Sequence, residues 1–338
     1  MKILILAPFG IGNLILLFPV LKILKEQNTD FDILSFHGAV GKILDDWSEF
    51  VNLYKNHFHF GKNKIEIIKT ILKIRKNKYD FSILSFPSAK LHYNLLNFFC
   101  GARKRIGSVY PDNSFKTLAF LNNVKHNVVE NIHDVEQNFE LVKKSGIFKE
   151  NYKIQRFPGK KNYSKIIGFH VGCSKGSEYK RWNVENWKEI ADFLRNNYPD
   201  YEVRFYFGSD EQEELLFFEK NCAEIKIMKN LSLFELKNGI SQCGLFLSND
   251  SGLMHIAAFC GVDTISVIGP SDERRTGAFG QNSINLSGNC EHRPCSHSYK
   301  IKTHKFFCAH SSRICLESIK PKDLLEVFMQ NHNISAPK

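Results

Sequence analysis

The chain has 338 residues, of which 43% are hydrophobic, and its 46 lysines and arginines outnumber its 35 aspartates and glutamates, giving a formal net charge of +11. A chain of this length can bury two ordinary cores, so we expect two domains. The positive charge suits a phosphate-rich lipid surface, a nucleotide or a nucleic acid. We expect no nucleic-acid partner, because the basic residues are spread over surface-helix positions such as 62–78 and no nucleic-acid-binding motif is present.

The first residues indicate a strand, a turn and a helix. The pattern predicts an apolar strand over Lys2–Ala7, a glycine-bearing turn over Phe9–Gly12 and an apolar helix over Leu14–Leu24. Pro19 implies that this helix starts late or is kinked. The turn carries only half of a dinucleotide-binding fingerprint, since the third glycine is absent. The sequence contains neither an 18-residue apolar run nor a signal peptide, so we predict a cytoplasmic protein.

A polar segment separates the two halves of the chain. Residues 155–164, QRFPGKKNYS, contain Pro158 and Gly159 and are typical of a linker. Strand–helix units repeat on both sides of this segment, which favours an α/β fold with a Rossmann-like sheet in each half. The expected divisions are a first domain over 1–157, a linker over 158–164, a second domain over 165–320 and a final segment over 321–338 that contains a helix.

The second half opens with a predicted strand over Lys165–Val171, followed by GCSKGSEYKRWNVENW. Taken alone, the KRW tripeptide is typical of a solvated turn with a tryptophan anchored in the core. Asn183 or Asn186 can cap the helix that follows. The next predicted strand, Val203–Gly208, ends in acidic residues, and such residues also stabilise the start of a following helix.

A third predicted strand, Gly244–Leu247, ends at the sequence SNDSG, and a helix is predicted over Leu253–Gly261. The unpaired N–H groups and partial positive charge of a helix N-terminus make the loop Asp250–Gly252 suitable for a diphosphate. His255 lies one turn into this helix, within reach of the same anion. The alternative is that Asp250 or Ser251 is only an N-cap and His255 a packed helix residue.

A fourth predicted strand, Asp263–Gly269, ends in GPSDERRTG, which brings hydroxyls, backbone amides and two arginines to the same edge of the sheet. Ligands of open parallel sheets bind at such carboxyl strand ends. The sequence therefore predicts one crevice served by two adjacent strand ends.

NDSGLMHIAA followed by GPSDERRTG resembles the signature of glycosyltransferase family 9, the ADP-heptose:lipopolysaccharide heptosyltransferases. The resemblance extends to the amino-terminal strand, turn and helix, to GARKRIG at 101–107, to residues 131–146, to the KRW region and to the strand at 203–208. It implies the GT-B architecture, in which two Rossmann-like domains face a central cleft. The first domain would then lie on the acceptor side, the second would bind the nucleotide sugar, and the final helix could cross back to the first domain.

The same resemblance implies an inverting, metal-independent transfer of heptose from ADP-heptose to the lipopolysaccharide inner core. It places Lys180 on the donor diphosphate, where an ammonium stabilises the departing anion. From the positive charge of the chain we also expect contact between its basic surface and the cytoplasmic face of the inner membrane. The implied donor-binding residues are Asp250, Ser251, Gly252, His255, Thr276 and Glu211, with Glu213 as an alternative to Glu211.

Asn13 departs from the family pattern. The family often has an aspartate at this position, which is proposed as the general base, and an amide cannot take a proton at neutral pH. Another group could serve as the base, Asn13 could only orient the acceptor hydroxyl, or the protein could be catalytically weak. We favour the first two interpretations and assign no base.

Nine cysteines are an odd number, which argues against a full disulfide framework. Cys290, Cys295, Cys308 and Cys315 lie within 26 residues of one another and are interleaved with histidines. Four such soft ligands could hold a structural zinc or iron, as occurs in related autotransporter heptosyltransferases, although the spacing differs from the CxxC pairs of common zinc sites. The other interpretation is that they are free or partly packed thiols. No cofactor is expected for catalysis.

Two other functions remain open at this point. One is a GT-B transferase that uses another nucleotide sugar or a protein acceptor, because contacts to the diphosphate do not select the sugar that is attached to it. The other is a noncatalytic sugar-nucleotide-binding protein, which Asn13 suggests.

Overall fold

The computed structural model describes residues 1–61, 63–111, 115–148, 152–160, 164–222, 224–296 and 308–332. The chain divides into two compact units, Met1–Gln155 and Arg156–Lys338. This division falls at the start of the polar segment between the predicted domains.

The first unit contains a sheet of six parallel strands in the order β3-β2-β1-β4-β5-β6. Its strands are β1 (Ile3–Ala7), β2 (Phe31–Ser35), β3 (His57–His59), β4 (Phe81–Leu84), β5 (Lys104–Val109) and β6 (Val124–Asn127). Its helices are α1 (Ile11–Glu26), α2 (Gly38–Asp46), α3 (Ser48–Val51), α4 (Lys64–Lys76), α5 (Leu91–Phe99) and α6 (Asp134–Lys144), with a short 3-10 helix at Ala119–Leu121. Parallel strands covered by helices are buried on both faces, and every residue of β1 is buried accordingly.

Helix α1 begins earlier than the sequence predicts. It starts at Ile11 and continues through Pro19 to Glu26. Gly10 occupies its N-cap position in extended conformation, and no side chain caps the helix there. The first turn of α1 therefore follows directly from the carboxyl end of β1.

The second unit contains a second sheet of six parallel strands, in the order β12-β11-β10-β7-β8-β9. Its strands are β7 (Ile166–His170), β8 (Glu202–Phe207), β9 (Lys226–Lys229), β10 (Leu245–Asn249), β11 (Asp263–Ile268) and β12 (Ser283–Ser287). Its helices are α7 (Val184–Asn197), α8 (Gln212–Asn221), α9 (Leu233–Ser241), α10 (Gly252–Phe259), α11 (Glu273–Thr276), α12 (Ile314–Glu317) and α13 (Pro321–His332), with a 3-10 helix at Glu178–Lys180.

Both sheets have the strand order of dinucleotide-binding folds, in which the chain starts at the centre and winds outward in both directions. The predicted α/β class with one Rossmann-like sheet in each half is confirmed. In the second unit the order reverses between β7 and β10, and ligands of such sheets bind at that reversal. The same argument selects the ends of β1 and β4 in the first unit.

The core of the second unit is rich in aromatic side chains. Phe169 and Phe205 stack with ring centroids 4.6 Å apart, and Trp182 meets Trp187 edge to face at 5.0 Å. The final helix contributes Leu324, Leu325 and Phe328 to this same core. The apolar face of α13 is thus buried in the core of the second unit, and the expectation that the final segment crosses back to the first domain stays a prediction.

Candidate functional site

The ends of β7 and β10 lie side by side at the reversal of the second sheet, and a charged pair lies beyond them. Lys180 Nζ is 2.8 Å from Asp250 Oδ2. Lys180 is only 7% exposed and Asp250 only 5%. The interpretation of Lys180 as a solvated turn residue is therefore wrong. A buried ion pair is expensive to desolvate, so its presence at a strand end is more typical of a binding site than of a stability element.

His255 is buried one turn into α10 and is influenced electrostatically by both members of this pair. Burial lowers the pKa of His255 to about 4; Asp250 acts in the opposite direction and Lys180 in the same direction as burial. The imidazole is therefore uncharged at neutral pH. Its Nδ1 has no hydrogen-bond partner among the described residues. A buried polar atom without a partner is costly, and a ligand that supplies the partner removes this cost.

Ser251 occupies the N-cap position of α10, but its hydroxyl does not cap the helix. Instead, Ser251 Oγ is 2.9 Å from Nδ1 of the buried His170, the last residue of β7. The Nε2 atom of the same ring lies 3.6 Å from Glu211 Oε1. His170 thus joins two predicted donor-binding residues from different strand ends, and the N–H groups at the start of α10 are left without a side-chain cap.

Glu211 is buried and its conformation is fixed by neighbouring groups. Its Oε2 accepts a hydrogen bond of 2.6 Å from the backbone N–H of Gly208. Burial acts to raise the pKa of Glu211, but His170, the Gly208 N–H and Arg181 outweigh burial, so the pKa lies below its ordinary value. Glu211 also requires Gly172, because a Cβ at position 172 would lie 2.0 Å from Glu211 Cγ. The result is a carboxylate that stays ionised in a buried position.

Two residues hold the loop that carries Lys180. Arg181 Nη1 is 2.6 Å from Glu214 Oε1, and its Nη2 donates to the carbonyls of Cys173 and Asp210. Asn249 Oδ1 accepts from the backbone N–H of Trp182 at 3.1 Å, while Asn249 Nδ2 donates to the Val171 carbonyl at 2.6 Å. Arg181 therefore connects the loop after β7 to the residues that follow β8, whereas Lys180 pairs with Asp250.

The loop after β11 contains Thr276 at the end of α11. The Thr276 hydroxyl donates to the Asp272 carbonyl at 3.3 Å, and the side chain is half-buried. Arg293 holds this loop, since its guanidinium donates to the carbonyls of Gly269, Gly288 and Ser271. The structure thus places Thr276 at a third strand end of the same sheet.

Asn13 lies in the first unit, in the first turn of α1, and is half-buried. It follows β1, whose end is at the strand-order reversal of its own sheet. Its amide has no basic atom at neutral pH.

The family model described as glycosyltransferase family 9 (heptosyltransferase) matches residues 67–305. The chain belongs to this family. The family predicted from the sequence motifs is thus confirmed. Residues 67–305 include Lys180, Glu211, Asp250–Gly252, His255 and Thr276, but not Asn13.

Among curated relatives, this family member is 24% identical to lipooligosaccharide heptosyltransferase 2 of Campylobacter jejuni, covering 96% of this chain and 97% of the relative. It is 22% identical over 169 residues to lipopolysaccharide heptosyltransferase 1 of Escherichia coli K12, covering 48% of this chain and 52% of that relative.

Among solved structures, the E. coli heptosyltransferase WaaC with ADP has a TM-score of 0.72 at 16% identity, covering 98% of this chain and all of that chain. The iron-containing dodecameric glycosyltransferase TibC of E. coli has a TM-score of 0.57 at 11% identity, covering 98% of this chain and 76% of that chain. These likenesses support the GT-B fold class.

Three residues of the site were missed by the sequence analysis. His170, Asn249 and Gly172 act through contacts with residues distant in the sequence, and Ser251 lies 81 positions beyond His170. A histidine at the end of a buried strand was the one available signal, and it is a weak one.

The four clustered cysteines are partly or fully buried. Burial raises the pKa of the Cys295 and Cys315 thiols, and neighbouring thiols of the same group raise it further. In the part of the chain that the structure describes, however, the group whose ligand atoms all lie within 4.8 Å of one another is Glu291, His292 and His310.

None of the helices in the described ranges is both long enough and apolar enough to cross a membrane.

Proposed function

We propose that the chain is an inverting glycosyltransferase that moves heptose from ADP-heptose to the lipopolysaccharide inner core, with no metal in the chemical step. Support comes from its family, from the C. jejuni lipooligosaccharide heptosyltransferase 2 that it matches along nearly its whole length, and from the fold it shares with a heptosyltransferase solved with ADP.

The observation that carries the proposal is the buried Lys180–Asp250 pair beside His255, whose Nδ1 has no partner among the described groups. A diphosphate entering here gains an ammonium, an uncharged imidazole and the uncapped N–H groups of α10, which include that of Gly252. The three kinds of donor suit an anion of high charge. Thr276 supplies a hydroxyl from the neighbouring strand end.

Glu211 is the proposed acceptor for the ribose hydroxyls. A carboxylate with a lowered pKa accepts two hydrogen bonds from a diol, and Gly208 and His170 fix its direction. Ser251 is oriented through the same imidazole. His170 is thus a positioning residue for both groups.

In the proposed reaction, an acceptor hydroxyl attacks the anomeric carbon of the donor from the face opposite the diphosphate. The new bond from the acceptor oxygen to carbon forms while the bond from carbon to the phosphate oxygen breaks, and ADP leaves. Lys180 stabilises the negative charge that grows on the leaving oxygen. Asn13 orients the acceptor hydroxyl, and the acceptor proton passes to a base.

The first test measures ADP release from ADP-heptose with and without purified heptose-free core acceptor. We expect release that depends on acceptor and is abolished in Lys180→Ala, and NMR of the product should show an inverted anomeric configuration. Release with a different nucleotide sugar or with a protein acceptor would favour the wider GT-B alternative. Donor binding without turnover would favour a noncatalytic relative.

We also propose that the protein binds a structural zinc or iron through Cys290, Cys295, Cys308 and Cys315. Binding of a cation would release the thiol protons, including those of Cys295 and Cys315, whose pKa values are raised chiefly by burial. Arg313, which lies between Cys308 and Cys315, also holds the loop that carries Lys180. It donates hydrogen bonds to the carbonyls of Glu178 and Arg181 at 3.1 Å each. Elemental analysis of the purified chain should find about one equivalent of metal that is lost in Cys308→Ser/Cys315→Ser. If the metal is retained in that variant but lost in His292→Ala/His310→Ala, the histidines and not the cysteines are the ligands.

Peripheral contact with the inner membrane is proposed through α4. Ile65, Ile68 and Leu72 are exposed and spaced so that they form one apolar stripe. Exposed basic residues flank the stripe, namely Lys64, Lys69, Lys73, Arg75 and Lys76. Arg75 also joins this helix to the exposed Phe99 of α5 through a 3.0 Å hydrogen bond to the Phe99 carbonyl. An apolar stripe with basic flanks suits the interface of an anionic bilayer.

Sedimentation with phosphatidylglycerol-containing vesicles tests this contact. Ile68→Glu/Leu72→Glu should abolish binding, whereas Leu216→Glu, which changes an exposed leucine of the second unit, should not. Equal binding by the native chain and the α4 variant would overturn the contact. The proposed membrane contact would also be overturned if the native chain forms a dimer and the α4 variant does not, because a second copy of the chain would then cover the apolar stripe.

A further inference from the structure

A hydrogen-bonded chain of four side chains lies at one edge of the first sheet. Ser35 Oγ, at the end of β2, is 2.7 Å from His57 Nε2 and 2.9 Å from His59 Nδ1, both on β3. His57 Nδ1 is in turn 2.8 Å from Asp45 Oδ1 on α2. The four residues are called the Asp45–His59 relay below.

With both imidazoles uncharged, the chemistry of the groups sets one direction for these hydrogen bonds. An ionised carboxylate only accepts, so His57 Nδ1–H donates to Asp45 and His57 Nε2 carries a lone pair. The Ser35 hydroxyl donates to that lone pair, and its oxygen accepts from His59 Nδ1–H. His59 Nε2 is consequently left with a lone pair at the far end of the relay. Tyr54 borders the other end, where its hydroxyl donates to the Leu44 carbonyl and lies 3.4 Å from Asp45.

The relay is open to solvent at both ends and closed in the middle. Ser35 is fully buried, whereas His59 is exposed and the Asp45 side chain is 58% exposed. Packing of a buried serine requires one or two partners for its hydroxyl. It does not require a continuous path of ionisable groups from one exposed side chain to another.

The relay also lies on the carboxyl edge of the first sheet, two strands away from β1. Ala7, Ser35 and His59 are level with one another across β1, β2 and β3. They therefore share the carboxyl edge at which open sheets bind ligands. Two strand spacings separate the backbone of His59 from that of Ala7, about 10 Å. Ala7 is the last residue of β1, and Asn13 follows in the first turn of α1.

We propose that His59 Nε2 is the general base that takes the proton of the acceptor hydroxyl, a role for which Asn13 has no basic atom. This inference rests on the proposed function. As the bond between acceptor oxygen and anomeric carbon forms, the acceptor proton passes to Nε2. The His59 Nδ1 proton can then move to Ser35, the Ser35 proton to His57 and the His57 proton to Asp45, from which water removes it. Ser35, His57 and Asp45 are positioning residues that hold His59 in the tautomer with a free Nε2.

The test compares kcat and ADP affinity for the native chain, His59→Gln and His59→Gln/Asn13→Asp. Loss of a general base should lower kcat of His59→Gln about 100-fold or more and leave the ADP Kd unchanged. The added carboxylate should restore turnover and move the acid limb of the kcat profile to lower pH, because carboxylates titrate below imidazoles. Asp45→Asn should lower kcat by a smaller factor, and His92→Gln, an exposed histidine of α5, should behave as the native chain.

The outcomes separate the two proposals. Acceptor-dependent turnover that survives His59→Gln would overturn the base and leave the proposed function intact. A loss in His59→Gln that Asn13→Asp does not rescue, together with weakened ADP binding, would show a structural role instead. If the native chain itself does not turn over, the proposed function fails and the base fails with it.

Discussion

The two sheets share one strand order, but their carboxyl edges carry different groups. In the second unit, the strand ends hold the buried Lys180–Asp250 ion pair and the buried Glu211 carboxylate beside His170. In the first unit, the comparable edge holds Asn13 and the Asp45–His59 relay, in which a serine and two histidines lead to one exposed carboxylate. Buried charge is expected where a permanent anion is bound, and neutral ionisable groups are expected where a proton moves.

The same comparison explains why the sequence motifs are concentrated in the second unit. A diphosphate needs fixed charges and uncapped N–H groups, which demand particular residues at adjacent positions such as Asp250–Gly252. A hydroxyl nucleophile needs one base and an orienting group, and several residue types can supply them.

Lys180→Ala is expected to have the largest effect. Removing a charge that stabilises the leaving group should lower kcat about 100- to 1,000-fold. It also leaves Asp250 buried without its cation, which should cost about 3–5 kcal/mol in free energy of unfolding. ADP release and urea unfolding measure the two effects, with Lys175→Ala as the exposed control in the same loop. Lys180→Ala/Asp250→Asn should recover stability but not activity, and recovery of both would show that the pair is only structural.

His255 should make the stability of the second unit depend on pH. Its folded pKa of about 4 lies below the ordinary histidine value of about 6.5, so the unfolded chain binds the proton more readily. Stability should therefore fall as the pH is lowered from about 6.5 to 4, by about 3 kcal/mol in total. Urea unfolding at several pH values should show a shallower dependence in His255→Gln. Identical slopes would mean that the imidazole is not held uncharged.

Gly172→Ala alters the strand ends of the second unit without removing a charge. The new Cβ would lie 2.0 Å from Glu211 Cγ, so the carboxylate must move. Overpacking of this kind costs about 1–3 kcal/mol, and ADP binding should weaken because the proposed ribose contact is displaced. Calorimetric titration with ADP measures the change. Ser174→Ala, at an exposed position of the same loop, should leave ADP affinity unchanged.

Sequence reasoning succeeded where a feature is local. A short apolar run followed by SNDSG and then by GLMHIAAF has one reasonable interpretation, and β10 and α10 lie where it indicates, within two residues at each end. The assignment of Lys180, Glu211, Asp250 and His255 to a donor site stays a prediction, although the structure gathers them around neighbouring strand ends.

The contacts between distant residues could not be predicted. Nothing in the local sequence shows that His170 meets Ser251 or that Ser35 meets two histidines more than 20 positions away, since strand register decides both. Which core receives the apolar face of α13 could not be predicted for a related reason. An amphipathic helix shows which face is buried, but its pattern does not show which core receives that face.

Asn13→Ala should have the smallest effect of these substitutions, and it tests the role proposed for the first unit. If Asn13 only orients the acceptor hydroxyl, its loss removes one hydrogen bond, about 0.5–1.5 kcal/mol, and kcat/KM should fall roughly three- to tenfold. ADP affinity should not change, because the residue lies outside the second unit. A loss of activity as large as that of Lys180→Ala, measured under the same conditions, would contradict the proposal that Asn13 only orients the acceptor hydroxyl. The amide would then be essential to the chemical step itself and would do more than orient the acceptor hydroxyl.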